Sequence, residues 1–270
     1  MKEYKLKTLS IALTDDHMLP IFQSQFPNYD RFLPHLANFL KPNEGTIVDV
    51  GANCGDTLAA LVESNPFLSY ISIEGDESFY EVLLLNLARI REKFSSCNII
   101  TIRQLVGLEV SSALLEGIGG TKSAKIVECN QSMQSLTLDA ILENLNCKKV
   151  RLLKSDVDGF DFDILNSAKK VLLRELPLVY FECFYLQEWQ KIGYIQQIHL
   201  LYESGYIDWI IFDNFGSVVM RTENIECLFQ LMEYIWNQNI GKASRTIHYF
   251  DILAAQKGDT ALINTVLAGY

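Results

Sequence analysis

The sequence has little positive charge and lacks the common cysteine motifs for metals. Its 270 residues contain 23 Lys and Arg against 33 Asp and Glu, which gives a formal net charge of −10. Such a surface does not attract a phosphate backbone, so we expect neither nucleic acid nor an anionic membrane as a partner. The six cysteines form no Cys-x-x-Cys pair and no zinc-finger spacing, which predicts reduced thiols in the cytoplasm.

Long apolar runs are also absent. The start MKEYKLKTLS lacks the apolar stretch of a signal peptide, and Glu182 interrupts the apolar segment Leu178–Tyr185, so we expect a cytoplasmic protein. With 49% hydrophobic residues, the chain can bury a large core. Prolines at positions 20, 27, 34 and 42 interrupt its first part. We therefore predict a cap or lid over residues 1–42 and one main domain over residues 43–270.

Strand-like and helix-like segments alternate from Thr46 onward. The predicted strands are Thr46–Val50, Tyr70–Glu74, Asn98–Arg103, Ala124–Glu128, Val150–Ser155, Leu178–Phe184, Tyr206–Phe212 and Thr246–Leu253. The predicted helices are Asp56–Ser64, Ser78–Lys93, Leu138–Leu145, Phe162–Leu173, Gln187–Ser204 and Glu223–Asn237. This order predicts an α/β fold with a mostly parallel sheet and helices on both faces, in which the carboxyl ends of the parallel strands share one edge.

The stretch TIVDVGANCGDT, residues 46–57, turns at two glycines four positions apart. A P-loop requires a lysine directly after its last glycine, but Gly55 is followed by Asp56, which repels phosphate. A dinucleotide fingerprint requires glycines at the positions of Asn53 and Asp56. Both absences disfavour phosphate-rich ligands, including the nicotinamide cofactors of oxidoreductases.

An adenosine ligand with an amino acid group and a positive sulfur, S-adenosylmethionine, suits acids beside such a turn. Gly51 and Gly55 allow the backbone to approach it closely, and Asp49 is a candidate to bind the turn amides or the ligand's ammonium. Glu74 follows Asp49 by 25 positions at the end of the second predicted strand, where a carboxylate can accept both ribose hydroxyls. A purely structural turn with a nearby acid remains the alternative.

Three stretches resemble one protein family in their order along the chain. They are IVDVGANCGDT from Ile47, QSLTLDAIL from Gln134, and LLKSDVDGFDFDIL from Leu152 followed by LVYFECF from Leu178. This pattern is similar to that of the FkbM family of class I methyltransferases. Ser155 and Asp158 depart from it, since the family most often has Ile and Glu there.

The resemblance implies a seven-stranded Rossmann-like sheet, S-adenosylmethionine as methyl donor, S-adenosylhomocysteine as product, and often O-methylation of a saccharide or other small metabolite. The candidate cofactor-binding residues are Asp49, Gly51, Ala52, Asn53, Gly55, Asp56, Thr57, Glu74, Gly75, Val106 and Asp156. A non-catalytic nucleotide-binding or interaction module with the same fold is the alternative function.

An aliphatic hydroxyl must lose a proton during methyl transfer, so a base is expected near the methyl group. Asp156 and Asp158 follow the fourth main strand and are candidate catalytic residues, although one of them could instead cap the next helix. His199, in a predicted helix, is a third candidate base, and His248 is an alternative.

Three further features bear on the site. His17 and His35 are candidates to line the acceptor side if the N-terminal part is a lid. Asp156, Asp158 and Glu182 offer the oxygen ligands that Mg²⁺ prefers, but acids at this spacing do not define a metal site, so we assign no metal ligands. The segment from Phe212 to Gly216 predicts a turn between strands.

Overall fold

A computed structural model of the chain describes residues 1–108, 134–239 and 246–270, and the backbone of two strands between them. The strands are β1 Lys2–Lys5, β2 Ser10–Leu13, β3 Thr46–Val50, β4 Ser69–Glu74, β5 Asn98–Arg103, β6 Ala113–Glu116, β7 Ser123–Ile126, β8 Val150–Ser155, β9 Leu178–Cys183, β10 Tyr206–Asp213, β11 Val218–Thr222 and β12 Phe250–Gln256. The helices are α1 Leu19–Gln25, α2 Phe32–Ala37, α3 Asp56–Ser64, α4 Glu77–Lys93, α5 Leu138–Asn144, α6 Asp161–Ser167, α7 Lys169–Glu175, α8 Glu188–Glu203, α9 Ile225–Asn239 and α10 Thr260–Gly269. None of the helices in these ranges is long and apolar enough to cross a bilayer.

The central sheet has the strand order β11-β10-β12-β9-β8-β3-β4-β5. The five strands from β9 to β5 are parallel, whereas β12, β10 and β11 add antiparallel pairs at the other side. The prediction of a mostly parallel α/β sheet is confirmed. The sheet has eight strands, however, and not seven.

Alternating side chains of the sheet contribute to two separate hydrophobic cores. On β3, Ile47 packs in a core with α2, α3, α4 and α10, while its neighbour Val48 packs in a core with α5 to α9. Successive residues of a strand point to opposite faces, so both faces of a buried strand must be apolar. This requirement explains why β3, β8 and β9 each have apolar residues at consecutive positions, such as Ile47 and Val48 on β3.

The additional strand of the central sheet is β11, which forms because the chain reverses directly after β10. The Asp213 carboxylate accepts hydrogen bonds from the backbone N–H groups of Phe215 (3.0 Å) and Ser217 (2.9 Å). Gly216 has φ +82°, which favours glycine. The predicted turn is therefore present, and the β-branched start of β11 pairs with β10 beyond it.

The last predicted strand, Thr246–Leu253, is displaced toward the C-terminus in the structure, where β12 begins at Phe250. The Asn214 side chain donates to the carbonyl of Thr246 (3.3 Å) and accepts from the N–H of His248 (3.0 Å). These two backbone groups therefore bond to a side chain instead of joining the sheet.

The predicted helix Phe162–Leu173 is divided into α6 and α7 at Ala168. The Asp139 carboxylate accepts from the N–H groups of Lys170 (2.9 Å) and Val171 (3.0 Å), which satisfies the first turn of a new helix. The sequence pattern alone predicts one continuous helix with an apolar face. The hydrogen bonds from Asp139 of α5 instead stabilise the start of a second helix after Ala168.

The N-terminal residues form the hairpin of β1 and β2 and the short helices α1 and α2. The buried Asn86 side chain of α4 bonds to both backbone groups of Ala12 (2.7 and 2.8 Å) and to the carbonyl of Cys54 (2.8 Å). The prediction of a cap over residues 1–42 stays a prediction. The glycine-rich interval between Glu116 and Ser123 lies outside the described residues.

Candidate active site

The turn after β3 packs directly against the backbone that follows β8. Gly51 has φ +78°, and a Cβ atom at this position would lie 1.9 Å from the carbonyl oxygen of Asp156 at the end of β8. The N–H groups of Gly51 and Ala52 both donate to the carbonyl of Ile73 (3.0 and 3.1 Å). Only glycine allows this approach without displacing the backbone of β8.

The second glycine of the turn starts α3. Gly55 has φ +77° at the N-cap position, and its N–H donates to the carbonyl of Ala52 (2.8 Å). Ala52 and Gly55 are buried and line none of the three cavities at this edge of the sheet, and their contact with the cofactor stays a prediction. Both residues shape the turn.

Glu74 at the end of β4 is 7% exposed. Its Oε2 accepts from the N–H of Asn53 and its Oε1 from the N–H of Asp76, both at 2.7 Å. Burial raises the pKa of Glu74, while the two N–H donors oppose this shift. Each oxygen retains a second lone pair, so the carboxylate can still accept hydrogen bonds from a pair of hydroxyls.

Three adjoining cavities open at the carboxyl edge of the parallel strands, with volumes of about 90, 280 and 300 Å³, and Asp156 and Asp158 line all three. Among the predicted cofactor residues, the first cavity is also lined by Gly51, Asn53, Glu74, Gly75 and Val106. The third cavity adds Asp56 and Thr57, and Thr57 also reaches the second. The fold thus brings most predicted residues together from separate strands.

A buried ion pair lies beneath these cavities. The Nζ atom of Lys154, a residue 3% exposed, lies 2.9 Å from Oδ1 of Asp49 and 3.4 Å from Oδ2 of Asp156, and it donates to the carbonyl of Gly51 (3.1 Å). Burial acts to lower the pKa of Lys154, but the carboxylates of Asp49 and Asp156 outweigh it and raise the pKa.

Asp49 is therefore engaged with Lys154 and lines none of the three cavities. The structure therefore pairs Asp49 with Lys154 and shows no hydrogen bond from a turn amide to its carboxylate, and a contact with a ligand ammonium stays a prediction. The sequence analysis assigned no role to Lys154. A basic residue directly after the buried apolar pair Leu152 and Leu153 of β8 was the available signal.

Asp158 has φ +51° and lines the cavities from the loop between β8 and α6. Burial, and then the charge of Asp156, raise its pKa to about 7. Neither aspartate caps α6, because Phe160 holds the N-cap position and makes no side-chain cap bond. The alternative of a purely capping role is thereby removed for Asp156 and Asp158.

Asp161 fixes the loop that carries these two aspartates. Its Oδ1 accepts from the hydroxyl of Ser155 (2.6 Å) and from the N–H of Val157 (3.3 Å), and its Oδ2 accepts from the hydroxyl of Tyr194 (3.2 Å). Ser155, a departure from the family pattern, is thus part of this loop's support.

The structure does not bring His199 to the site. His199 is exposed on α8, its ring centroid lies 4.9 Å from that of Phe229, and it lines none of the three cavities. Its side chain contacts Phe229 of α9 and not the cavities, so its role as a catalytic base stays a prediction that the site geometry does not support. His248 and His35 also line none of these cavities, whereas His17 lines the third.

Two acids that the sequence analysis did not place at the site, Asp30 and Asp251, line the second cavity together with Glu182. Glu182 of β9 and Asp251 of β12 are paired across neighbouring antiparallel strands, and Asp30 lines the cavity from the N-terminal part. Within the described residues, no three His, Cys, Asp or Glu side chains are arranged to hold a metal ion. The magnesium alternative therefore gains no support from the described part of the chain.

A comparison with family models matches the methyltransferase FkbM domain to residues 49–207, more than half of the chain. The chain belongs to the FkbM methyltransferase family. This assignment confirms the family predicted from the three sequence stretches and supports an S-adenosylmethionine-dependent methyltransferase as its class of enzyme. No curated protein sequence is significantly similar to this FkbM methyltransferase.

Several solved structures are similar to this FkbM methyltransferase. The METTL16 methyltransferase domain is 12% identical, with 92% of this chain and 73% of that chain covered and a TM-score of 0.50. A precorrin-6y C5,15-methyltransferase from Geobacter metallireducens is 10% identical, with 83% and 86% covered and a TM-score of 0.42. An FkbM methyltransferase from Methylobacillus flagellatus is 16% identical, with 62% and 48% covered and a TM-score of 0.39.

Proposed function

We propose that this FkbM methyltransferase transfers a methyl group from S-adenosylmethionine to a hydroxyl group of a saccharide or another small metabolite. The observation that carries this proposal is the arrangement of the cavities. The cavity beside the glycine turn and Glu74 adjoins a larger one, and Asp156 and Asp158 line both. A donor and an acceptor bound in adjoining cavities would be held in place for direct transfer.

The residues of the first cavity fit the chemistry of the donor. The buried Glu74 carboxylate would accept the ribose hydroxyls, and Phe79, Leu105 and Val106 supply apolar surface for an adenine ring. Asp156, with a side chain 50% exposed, is the candidate to bind the donor's ammonium group. These roles of individual residues are part of the proposal.

S-adenosylmethionine supplies, when bound, a methyl group already activated by its positive sulfur. The protein's own residues then orient the acceptor, exclude water and remove its proton. Asp158 suits proton removal, because a carboxyl with a pKa near 7 is partly ionised at neutral pH and is more basic than an ordinary carboxylate. We assign Asp158 as the base and Asp156 as the donor ligand.

A small acceptor agrees with the size and charge of the molecule. The second cavity measures about 280 Å³, which matches a metabolite or a sugar unit better than a macromolecular partner. The net charge of −10 gives no attraction to nucleic acid, and we propose that the enzyme acts in the cytoplasm.

Calorimetric titration of the wild-type protein with S-adenosylmethionine and S-adenosylhomocysteine tests the donor. We expect submillimolar binding of both, and no binding of NADH or ATP, because Asp56 stands beside the glycine turn. Binding of neither sulfur ligand, or tighter binding of NADH, would overturn the proposal.

The two aspartates are tested separately. We expect Asp156→Asn to weaken S-adenosylhomocysteine binding, and Asp158→Asn to leave it intact while it abolishes methyl transfer to an accepted substrate. Equal turnover by wild type and Asp158→Asn would contradict the assignment of the base.

A further inference from the structure

The second cavity holds more carboxyl groups than a neutral acceptor requires. Its lining includes the five carboxyl groups of Asp30, Asp156, Asp158, Glu182 and Asp251. Lys154 is the one basic residue among the lining residues, and its ammonium group is shared between Asp49 (2.9 Å) and Asp156 (3.4 Å). The other four acids therefore have no basic partner among the described residues that line the cavity.

Glu182 has a buried oxygen without a partner. The residue is 7% exposed, and its Oε2 forms no hydrogen bond with any described residue, although Glu182 lines the cavity. A buried carboxylate oxygen left unpaired is costly, so native proteins usually provide a partner for it. A cationic group on a ligand would supply that partner from within the cavity.

The positive sulfur of the methyl donor does not account for these acids. Asp156 and Asp158 line the donor cavity, but Asp30, Glu182 and Asp251 do not. Glu182 and Asp251 lie on β9 and β12, farther along the sheet than the glycine turn of β3. These three carboxyl groups are therefore available to whatever occupies the second cavity.

Aromatic side chains form other walls of the same cavity. Tyr29, Phe32, Tyr180 and Tyr249 line it, and the rings of Phe32 and Tyr180 are stacked with centroids 6.0 Å apart. Aromatic rings combined with carboxylates are the usual surroundings of a bound ammonium or guanidinium group, because the ring faces attract cations.

We infer that the acceptor carries a protonated amine or guanidine besides its methylated group, and that Glu182 and Asp251 bind this cation. The inference rests on the proposed function, of which it specifies the substrate class. An amino sugar or an amino alcohol has the required combination of cation and hydroxyl.

The surroundings of Glu182 and Asp251 in the protein disfavour their ionised forms. Burial, and then the charges of Asp156 and neighbouring acids, raise the pKa of Glu182 and of Asp251 well above the ordinary range. A cation in the cavity would offset both effects and favour the ionised carboxylates. Tyr180 also hydrogen-bonds to Asp251, which leaves Glu182 as the less satisfied of the two.

The test measures binding to the complex of the full-length protein with saturating S-adenosylhomocysteine. The probes are ethanolamine, glucosamine and 2-deoxystreptamine, each compared with its fully N-acetylated form, in which every amine is acetylated and the positive charge is lost. We expect at least one amine to bind, and every amine that binds to do so at least about tenfold more tightly than its neutral form. Equal binding of the paired compounds, or no binding of any amine, overturns the inference.

Glu182→Gln removes the charge and keeps the size of the side chain. We expect it to weaken amine binding at least about tenfold and to leave S-adenosylhomocysteine affinity unchanged, which also reports a folded cavity. Glu203→Gln, at an exposed position of α8, is the matched control. Unchanged amine affinity in Glu182→Gln overturns the inference, whereas failure of wild type to bind S-adenosylhomocysteine would instead count against the proposed function.

Discussion

The ammonium of Lys154 lies 2.9 Å from the carboxylate of Asp49, and both residues are almost fully buried. The pair joins β8 to β3 beneath the loop that carries Asp156 and the turn that carries Gly51. Because Lys154 also donates to the carbonyl of Gly51, this ion pair fixes the floor of the candidate active site.

Lys154→Met should destabilise the protein by about 3–5 kcal/mol, because it leaves the charge of Asp49 buried without a partner. The free energy of unfolding in urea measures this change. The double variant Lys154→Met/Asp49→Leu removes both charges and should recover part of the lost stability. Additive losses in the double variant would contradict a coupled pair.

Gly51→Ala should destabilise the protein by about 1–3 kcal/mol or more, since the position has φ +78° and the added Cβ would lie 1.9 Å from the Asp156 carbonyl oxygen. Thermal unfolding and S-adenosylhomocysteine titration should both report the change. Gly258→Ala is the control, because no atom lies within 4 Å of its added Cβ. Similar behaviour of the two variants would argue against the close approach of β3 and β8.

Glu74→Gln should weaken S-adenosylhomocysteine binding about tenfold to a hundredfold. The amide nitrogen of Gln cannot accept one of the two backbone N–H bonds or a ribose hydroxyl, and hydrogen bonds to a charged group are the stronger ones. Calorimetry measures the affinity. Glu77→Gln, which removes an exposed ion pair with Arg103, should bind like wild type.

The stability of the protein should fall as the pH rises from about 4 to about 7. The pKa of Asp158 is raised from its ordinary 3.8 to about 7 in the folded state, so the folded protein holds this proton more tightly than the unfolded chain. Asp158→Asn should reduce the slope of unfolding free energy against pH in this window. Glu203→Gln should retain the wild-type slope, and an identical slope in Asp158→Asn would refute the shifted pKa.

Most of the fold could be predicted from the sequence because its signals are local. The bounds of β3, α3, β5 and β8 agree with the prediction, since β-branched runs, a glycine turn and an apolar stripe are visible within a few residues. β11 and the break between α6 and α7 were missed. β11 depends on the turn that Asp213 stabilises, and the helix break depends on the long-range hydrogen bonds of Asp139. The periodicity of apolar residues reveals neither contact.

Within the site, the glycine turn, Glu74, Asp156 and Asp158 could be identified from strand ends, since parallel strands place these ends at one edge. The roles of Asp49 and His199 could not be judged. An acid at a strand end can bind a ligand or a buried lysine, and a histidine in a helix can face the site or solvent. Only the packing of β8 on β3, and of α8 against α9, distinguishes these cases.

The sequence by itself determined the family, the alternation of strands and helices, and the exclusion of a phosphate-binding loop, because each depends on residue types at short spacing. The tertiary structure alone decided that Lys154 neutralises Asp49 and that Asp30, Glu182 and Asp251 share one cavity. These residues are far apart in the chain, so they can interact electrostatically only when the fold brings them to one place.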